Sequence, residues 1–190
     1  MEKEKIGVAV FGGSNANIPD IYKEEAYELG RLIASRGWAC INGGGKNGIM
    51  RACSEGAEDN GGDVIGVIPQ FMIDNDWHNE SIKNLVITDG MHSRKQTIYS
   101  LSDALVVMPG GVGTFDEMME SITWRQLNLQ KSVVIILNKN GFFDPILQML
   151  QRCEEQNFMR HVEDGKKIWI VTTSAQQTIE EIEKFINGNS

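Results

Sequence analysis

The sequence predicts an α/β protein: a Rossmann-like, doubly wound parallel sheet of about seven strands with helices on both faces. Three observations predict it. Short β-branched apolar runs alternate with segments of helical spacing along the whole chain. The strand runs are apolar on both faces, as in a parallel sheet covered from both sides. Three glycine turns directly follow strand candidates one, two and five, the edge at which such sheets bind ligands. A length of 190 residues suits one domain over 1–190.

Lys5 to Phe11 is the first strand, ending in the turn cluster Gly12-Gly13-Ser14-Asn15. Pro19 opens a helix, as proline does at a first helical position. In it Tyr22, Ala26, Leu29, Leu32 and Ile33 keep the helical period, and Gly37 ends it. Trp38 to Asn42 is the second strand, followed by Gly43-Gly44-Gly45-Lys46-Asn47-Gly48 and a helix from Ile49 to Asp59. Asp63 to Ile68 is the third strand, closed by Pro69, and 70–83 reads as irregular and polar. Leu85 to Thr88 is the fourth strand and Gly90 to Ser102 a helix. Ala104 to Met108 is the fifth strand, and Thr114 to Leu127 the next helix. Ser132 to Leu137 is the sixth strand. Asp144-Pro145 then reads as an N-cap with proline at the first helical position, opening a helix to Gln156. Ile168 to Val171 is the last strand. Ser174 with Gln177 forms a capping-box pattern before a helix to Ile186.

Composition narrows the function. A net charge of −8 and a pI of about 4.9 argue against a nonspecific grip on nucleic acid or an anionic membrane, both of which want clustered Lys and Arg. Neither argues against a small phosphorylated ligand held by local N–H groups. The charged N-terminus carries no signal-peptide pattern. Apolar runs reach only about five residues, far short of a membrane span. Cys40, Cys53 and Cys153 lack CxxC spacing and read as reduced thiols in a cytoplasmic protein. His78, His92, His161 and the acids show no metal-ligand spacing, so no metal or cofactor is expected.

The segment Met108-Pro109-Gly110-Gly111-Val112-Gly113-Thr114-Phe115-Asp116-Glu117 carries the chemistry. A strand, a glycine turn and a helix start build an anion site: glycine admits a ligand close to the backbone, and the first N–H groups of the helix lack internal partners. Gly110, Gly111, Val112, Gly113 and Thr114 are the phosphate candidates. Thr114-x-x-Glu117 also fits a capping box. Gly13, Ser14, Gly44 and Gly45 belong to the other two turns at the same sheet edge. Arg94 lies on the same helical stripe as Met91, Ile98 and Leu101, where a guanidinium needs an anionic partner. Glu117 falls opposite the apolar stripe of Phe115, Met118, Met119 and Ile122, with Trp124 on its own side. Either the first turn overhangs the site or another surface covers that face, and Trp124 points to a subunit interface.

Gly43-x-Gly45-x-x-Gly48 has dinucleotide-fingerprint spacing, but it follows the second strand, and the next strand ends Val67-Ile68-Pro69 without the expected acid. Lys46 completes no Walker A loop, since no Ser or Thr follows it.

Pro109 to Glu117 matches the PGGxGTxxE pattern at every fixed position, and Met91-His92-Ser93-Arg94-Lys95 matches MHxRK. Together with Gly43-Gly44-Gly45, Gly66-Val67-Ile68-Pro69 and Thr123-Trp124-x-Gln126-Leu127, they make nearly the whole chain resemble the Lonely Guy family of cytokinin-activating phosphoribohydrolases, long labelled possible lysine decarboxylases. The first turn departs: Phe11-Gly12-Gly13-Ser14-Asn15 stands where Cys-Gly-Ser-Ser is more usual. The resemblance implies hydrolysis of a nucleoside 5′-monophosphate to free base and ribose 5-phosphate, and a homodimer or larger assembly with the site near the subunit boundary. It implies Arg94 and Glu117 as the catalytic pair, Met91 and Lys95 among the nucleotide-binding residues, and Glu80 as a ligand-binding acid. In that reading Arg94 also helps hold Glu117 ionised. The alternatives are a non-catalytic nucleotide or cofactor carrier on the same fold and, by label only, a decarboxylase using a pyridoxal phosphate lysine.

Overall fold

The computed structural model describes residues 5–159 and 167–188. His161 and the charged residues before Lys5 lie outside them. Seven strands form one parallel sheet: β1 (Gly7–Phe11), β2 (Ala39–Asn42), β3 (Asp63–Pro69), β4 (Asn84–Thr88), β5 (Ala104–Val107), β6 (Val133–Leu137) and β7 (Ile170–Thr172). Their order is β4-β3-β2-β1-β5-β6-β7. Successive strands step one way from β1 to β4, and the chain then crosses back to lay β5 on the other side of β1. The reversal between β1 and β5 is the topological switch point, where an open α/β sheet leaves a crevice beyond its strand ends.

The helices are α1 (Asp20–Ser35), α2 (Gly48–Glu58), α3 (Gln70–Asp74), α4 (Met91–Leu101), α5 (Val112–Gln126), α6 (Asp144–Glu155) and α7 (Ala175–Ile186). Side chains alternate across the pleat, so one sheet gives two cores. Val8, Val10, Cys40 and Ile135 pack beneath α1, α2 and α7 with Leu29, Ile33, Cys53 and Ile179. Ala9, Phe11, Leu105 and Ile136 pack beneath α4, α5 and α6 with Ile98, Met118, Ile122 and Leu150. The two layers fully bury β1, β2, β5 and β6, which is why those strand runs are apolar on either side, whereas the edge strands β4 and β7 stay partly exposed. Cys40 and Cys53 are free thiols with sulfurs 3.5 Å apart in the first core. No helix among the described residues is long and apolar enough to cross a membrane.

Four local expectations are corrected. Residues 70–74 form α3 rather than irregular chain, a single turn too short to show a period. Asp144 is the first residue of α6 and Phe143 its cap; the Asp144 carboxylate instead accepts from Asn138 Nδ2 at 2.7 Å. The last strand is Ile170–Thr172, shifted from 168–171. Helix α5 starts at Val112, two residues before Thr114, with Gly111 as its N-cap. Thr114 is therefore the third helical residue, and Thr114-x-x-Glu117 is not a capping box. The Ser174 cap stands: its hydroxyl accepts from the Gln177 N–H at 3.2 Å.

Candidate active site

The glycine turns after β1, β2 and β5 meet at the switch point. The Gly13 N–H donates to the Pro109 carbonyl at 3.0 Å, and the Ile49 N–H donates to the Gly13 carbonyl at 2.8 Å. This ties the first and third turns to the start of α2. The middle turn is braced from within. Buried Asn42 accepts from the Gly44 N–H at 2.9 Å and donates to Ser54 Oγ at 2.8 Å. The Gly44 carbonyl accepts from the Asn79 N–H at 2.8 Å, and Gly45 forms a bridge with His78. The N–H groups of Gly13 and Gly44 are thus committed within the chain, and these glycines act as walls. Ser14 is exposed, and so is Glu80, which makes no hydrogen bond or ion pair among the described residues.

The start of α5 is different. No side chain caps it, and Gly111, Val112 and Gly113 are exposed. Gly111 has φ −97° and ψ −155°, open to any residue, and a Cβ at Gly111 or Gly113 would meet nothing within 4 Å. Neither backbone strain nor packing within the chain explains these two glycines. At Gly110, by contrast, a Cβ would overlap Thr114 Oγ1 and lie 2.7 Å from the Gly13 nitrogen. Gly110 is glycine for packing.

Arg94 and Glu117 meet below this turn. They are 5% and 8% exposed, and Arg94 Nη1 lies 3.5 Å from Glu117 Oε1. Arg94 Nε donates to the Val67 carbonyl at the end of β3, at 3.1 Å. A Cβ on Gly43 would overlap Arg94 Nη2, so that glycine makes room for the guanidinium. Met91, 42% exposed, rests its sulfur 3.9 Å from Arg94 Nη1. Arg94 is thus buried on the apolar stripe of α4 and faces a carboxylate. For Glu117 the covering surface is α4 of the same chain. Trp124 is half-buried on that face, its ring 4.9 Å from Tyr99, so α4 occupies part of the face expected to be an interface.

Electrostatics bear out the direction expected of Arg94, which favours the ionised form of Glu117, and set a larger effect against it. Burial pushes the Glu117 carboxyl up to about 7. Arg94 pulls it down and Asp116 pushes it up, with smaller opposing contributions from Lys95 and Glu120. Arg94 therefore moderates the rise without holding the acid in the ordinary carboxylate range, because desolvation outweighs one ion pair at 3.5 Å. Lys95, expected among the nucleotide-binding residues, directs its ammonium to Asp116 Oδ2 at 2.9 Å and Glu120 Oε2 at 3.1 Å.

Sequence reasoning missed three contributors: Asn42, which braces the middle turn, and Tyr99 and Glu120. The Tyr99 hydroxyl donates to Glu120 Oε2 at 2.9 Å. The only signal for the latter two was spacing, Tyr99 four residues after Lys95 and Glu120 four after Asp116. The cavity of about 910 Å³ at the opposite, N-terminal strand ends is lined by Lys5, Glu58, Asp63 and Lys83 among others, and by none of the candidate residues. No group of three metal-ligating side chains occurs among the described residues.

A pyridoxal phosphate lysine must be able to shed its proton. Burial would lower the proton affinity of Lys95, but Asp116 and Glu120 outweigh that and leave it raised. Lys46 is paired with Asp76 at 2.9 Å on the surface. Neither lysine fits that cofactor.

Known proteins agree with this architecture. The family model described as "Possible lysine decarboxylase" matches residues 50–182. The chain is 34% identical to the cytokinin riboside 5′-monophosphate phosphoribohydrolase LOG of Oryza sativa subsp. japonica, over 94% of this chain and 73% of that protein. It is 31% identical to the cytokinin riboside 5′-monophosphate phosphoribohydrolase LOG4 of Arabidopsis thaliana, over 97% of this chain and 86% of that protein. Among solved structures, the molybdenum cofactor carrier protein of Chlamydomonas reinhardtii superposes with a TM-score of 0.74 at 21% identity, covering 97% of this chain and 99% of that one. The molybdenum cofactor binding protein of Rippkaea orientalis gives 0.73 at 23%, covering 96% and 98%. At those identities the two likenesses speak for the fold alone. With the PGGxGTxxE and MHxRK motifs folded into one crevice, and relatives of this identity over nearly its whole length, the chain belongs to the Lonely Guy family of cytokinin riboside 5′-monophosphate phosphoribohydrolases, the family described as possible lysine decarboxylases.

Proposed function

We propose that the protein hydrolyses the N-glycosidic bond of a nucleoside 5′-monophosphate, AMP or an N6-prenylated AMP, to free base and ribose 5-phosphate. The observation that carries this is the buried Arg94–Glu117 pair, 3.5 Å apart, beneath an uncapped helix start whose glycines no internal contact requires. The 5′-phosphate sits on the N–H groups of Gly111, Val112, Gly113 and Thr114 and the Thr114 hydroxyl, against Gly110 and the positive end of α5. The turns of Gly13, Ser14, Gly44 and Gly45 wall the crevice, with Met91 and Glu80 at its rim.

Cleavage builds positive charge at C1′ and sends the bond pair to the base nitrogen. A carboxyl titrating near 7 suits proton transfer at neutral pH. Ionised Glu117 faces the cationic sugar and takes a proton from water as the water oxygen attacks C1′; the base nitrogen, which keeps the bond pair, takes up a proton from solvent and leaves as free base. Arg94 orients Glu117 and turns its outer guanidinium nitrogen toward the departing base. A second copy of the chain packs near the exposed part of α4 and α5, where Met91, Leu127 and Leu129 are exposed, and completes a homodimer. Analytical ultracentrifugation tests this; a monomer at micromolar concentration contradicts it.

The test of function is incubation with AMP and N6-isopentenyl-AMP, followed by chromatography for free base and ribose 5-phosphate. Stoichiometric release supports the hydrolase. Tight nucleotide binding with no release makes the protein a carrier instead.

A further inference from the structure

We infer that Asn42 is a positioning residue for Arg94: from the end of β2 it fixes the Gly43 backbone against which the guanidinium lies, and it ties that seat to α2. Gly43 follows Asn42 directly. A Cβ on it would overlap Arg94 Nη2, lie 2.8 Å from Arg94 Cζ and lie 3.0 Å from Met50 Sδ. Gly43 is therefore packed between Arg94 and Met50. Asn42 is fully buried. Its Oδ1 accepts from the Gly44 N–H at 2.9 Å, an Asx-turn that closes around Gly43. Its Nδ2 donates to Ser54 Oγ at 2.8 Å, and the Ser54 hydroxyl donates to the Met50 carbonyl at 3.0 Å. One amide thus holds the turn from within and fastens it to the helix that carries Met50.

Arg94 is held at three points. Its Nε donates to the Val67 carbonyl at 3.1 Å, its Nη1 faces Glu117 at 3.5 Å, and its Nη2 rests against Gly43. The guanidinium is planar and rigid, so a shift of Gly43 tilts the whole group about Nε and moves Nη1 relative to Glu117. A buried polar network with its bonds made fixes one arrangement. An apolar side chain at position 42 would leave the buried Gly44 N–H without its acceptor and free the turn to shift. A residue needed only to close the end of β2 would affect stability alone. A residue that seats Arg94 affects turnover through Arg94.

The effect on turnover rests on the hydrolase reading; the seating of Arg94 does not, and the experiment reads the two separately. The rate and KM for AMP are measured for Asn42→Leu, Arg94→Ala and the double variant. Exchange of the Arg94 Nε–H is followed by ¹⁵N NMR, its signal assigned by its loss in Arg94→Ala. Asn42→Leu is expected to lower kcat by roughly 10- to 10²-fold and to change KM by less than about threefold. It should speed Nε–H exchange by about tenfold or more while the β5 amides exchange as in wild type. In the Arg94→Ala background the same substitution should lower kcat by less than about twofold, because the group through which it acts is gone. Should Asn42→Leu fail to fold, Ser54→Ala takes its place in the cycle, with a loss of about two- to tenfold for one hydrogen bond. Losses that multiply in full in the double variant, or an unchanged kcat in the folded single variant, overturn the role of Asn42. A wild-type protein that releases no base removes the hydrolase reading, and unchanged Nε–H exchange then overturns the seating of Arg94.

Discussion

Alanine at Gly111 and alanine at Gly110 differ by one position and separate a ligand-facing glycine from a packed one. At Gly111 a methyl meets no atom within 4 Å, and the backbone angles are ones alanine adopts. Gly111→Ala should therefore leave the fold intact or stabilise it by about 0.4–1 kcal/mol, through a less disordered unfolded chain. A phosphate settling on the N–H groups of α5 would meet that methyl. Losing one hydrogen bond to a charged group removes about 1.5–3 kcal/mol, which is roughly 10- to 150-fold in affinity. Gly113→Ala should behave the same way. Gly110→Ala instead drives a methyl onto Thr114 Oγ1 and to 2.7 Å from the Gly13 nitrogen. Overpacking of this kind destabilises by about 1–3 kcal/mol, and each kcal/mol lowers Tm by about 2–4 °C in a chain of this size. Calorimetric titration with AMP or ribose 5-phosphate, beside thermal melting, reads both effects. If Gly111→Ala and Gly113→Ala both bind AMP as the wild type does, the phosphate does not sit at this helix start.

Two further outcomes follow from the buried pair. Gly43→Ala puts a methyl into the space of Arg94 Nη2 and 2.8 Å from its Cζ; the displaced guanidinium should cost roughly 10²-fold in kcat, as small misplacements of catalytic groups do, and a wild-type rate would contradict it. The Glu117 carboxyl rises from 4.5 to about 7 on folding, so the folded state holds this proton more tightly than the unfolded one. The stability it contributes is present below about pH 4.5 and is lost as pH rises through about 7, a swing of about 3 kcal/mol. Melting curves should show Glu117→Gln gaining on wild type between pH 5 and 8, and parallel curves would contradict the shift.

How much of this was legible in the sequence depends on how local each cause is. Strand and helix positions follow from apolar runs and glycine turns, and those were readable. Arg94 was readable because its own helix places it among Ile98 and Leu101. The burial of Glu117 was not, because its own helix turns it away from the sheet and a second helix, α4, covers it. Thr114-x-x-Glu117 misled because the same spacing serves a cap or the inside of a first turn; only the Gly111 backbone decides which. The proton affinity of Glu117 depends on desolvation by distant segments set against Arg94 and Lys95, a balance that spacing does not reveal. The partners of Lys95 required knowing that α4 and α5 lie side by side.

The most direct test of the central claim, that Arg94 and Glu117 form a hydrolytic site, is free-base release from AMP by Glu117→Gln with nucleotide binding measured on the same sample. The account predicts affinity for AMP within about threefold of wild type and release slowed by roughly 10²–10⁴, with a similar loss in Arg94→Ala. Release at the wild-type rate by Glu117→Gln would contradict it.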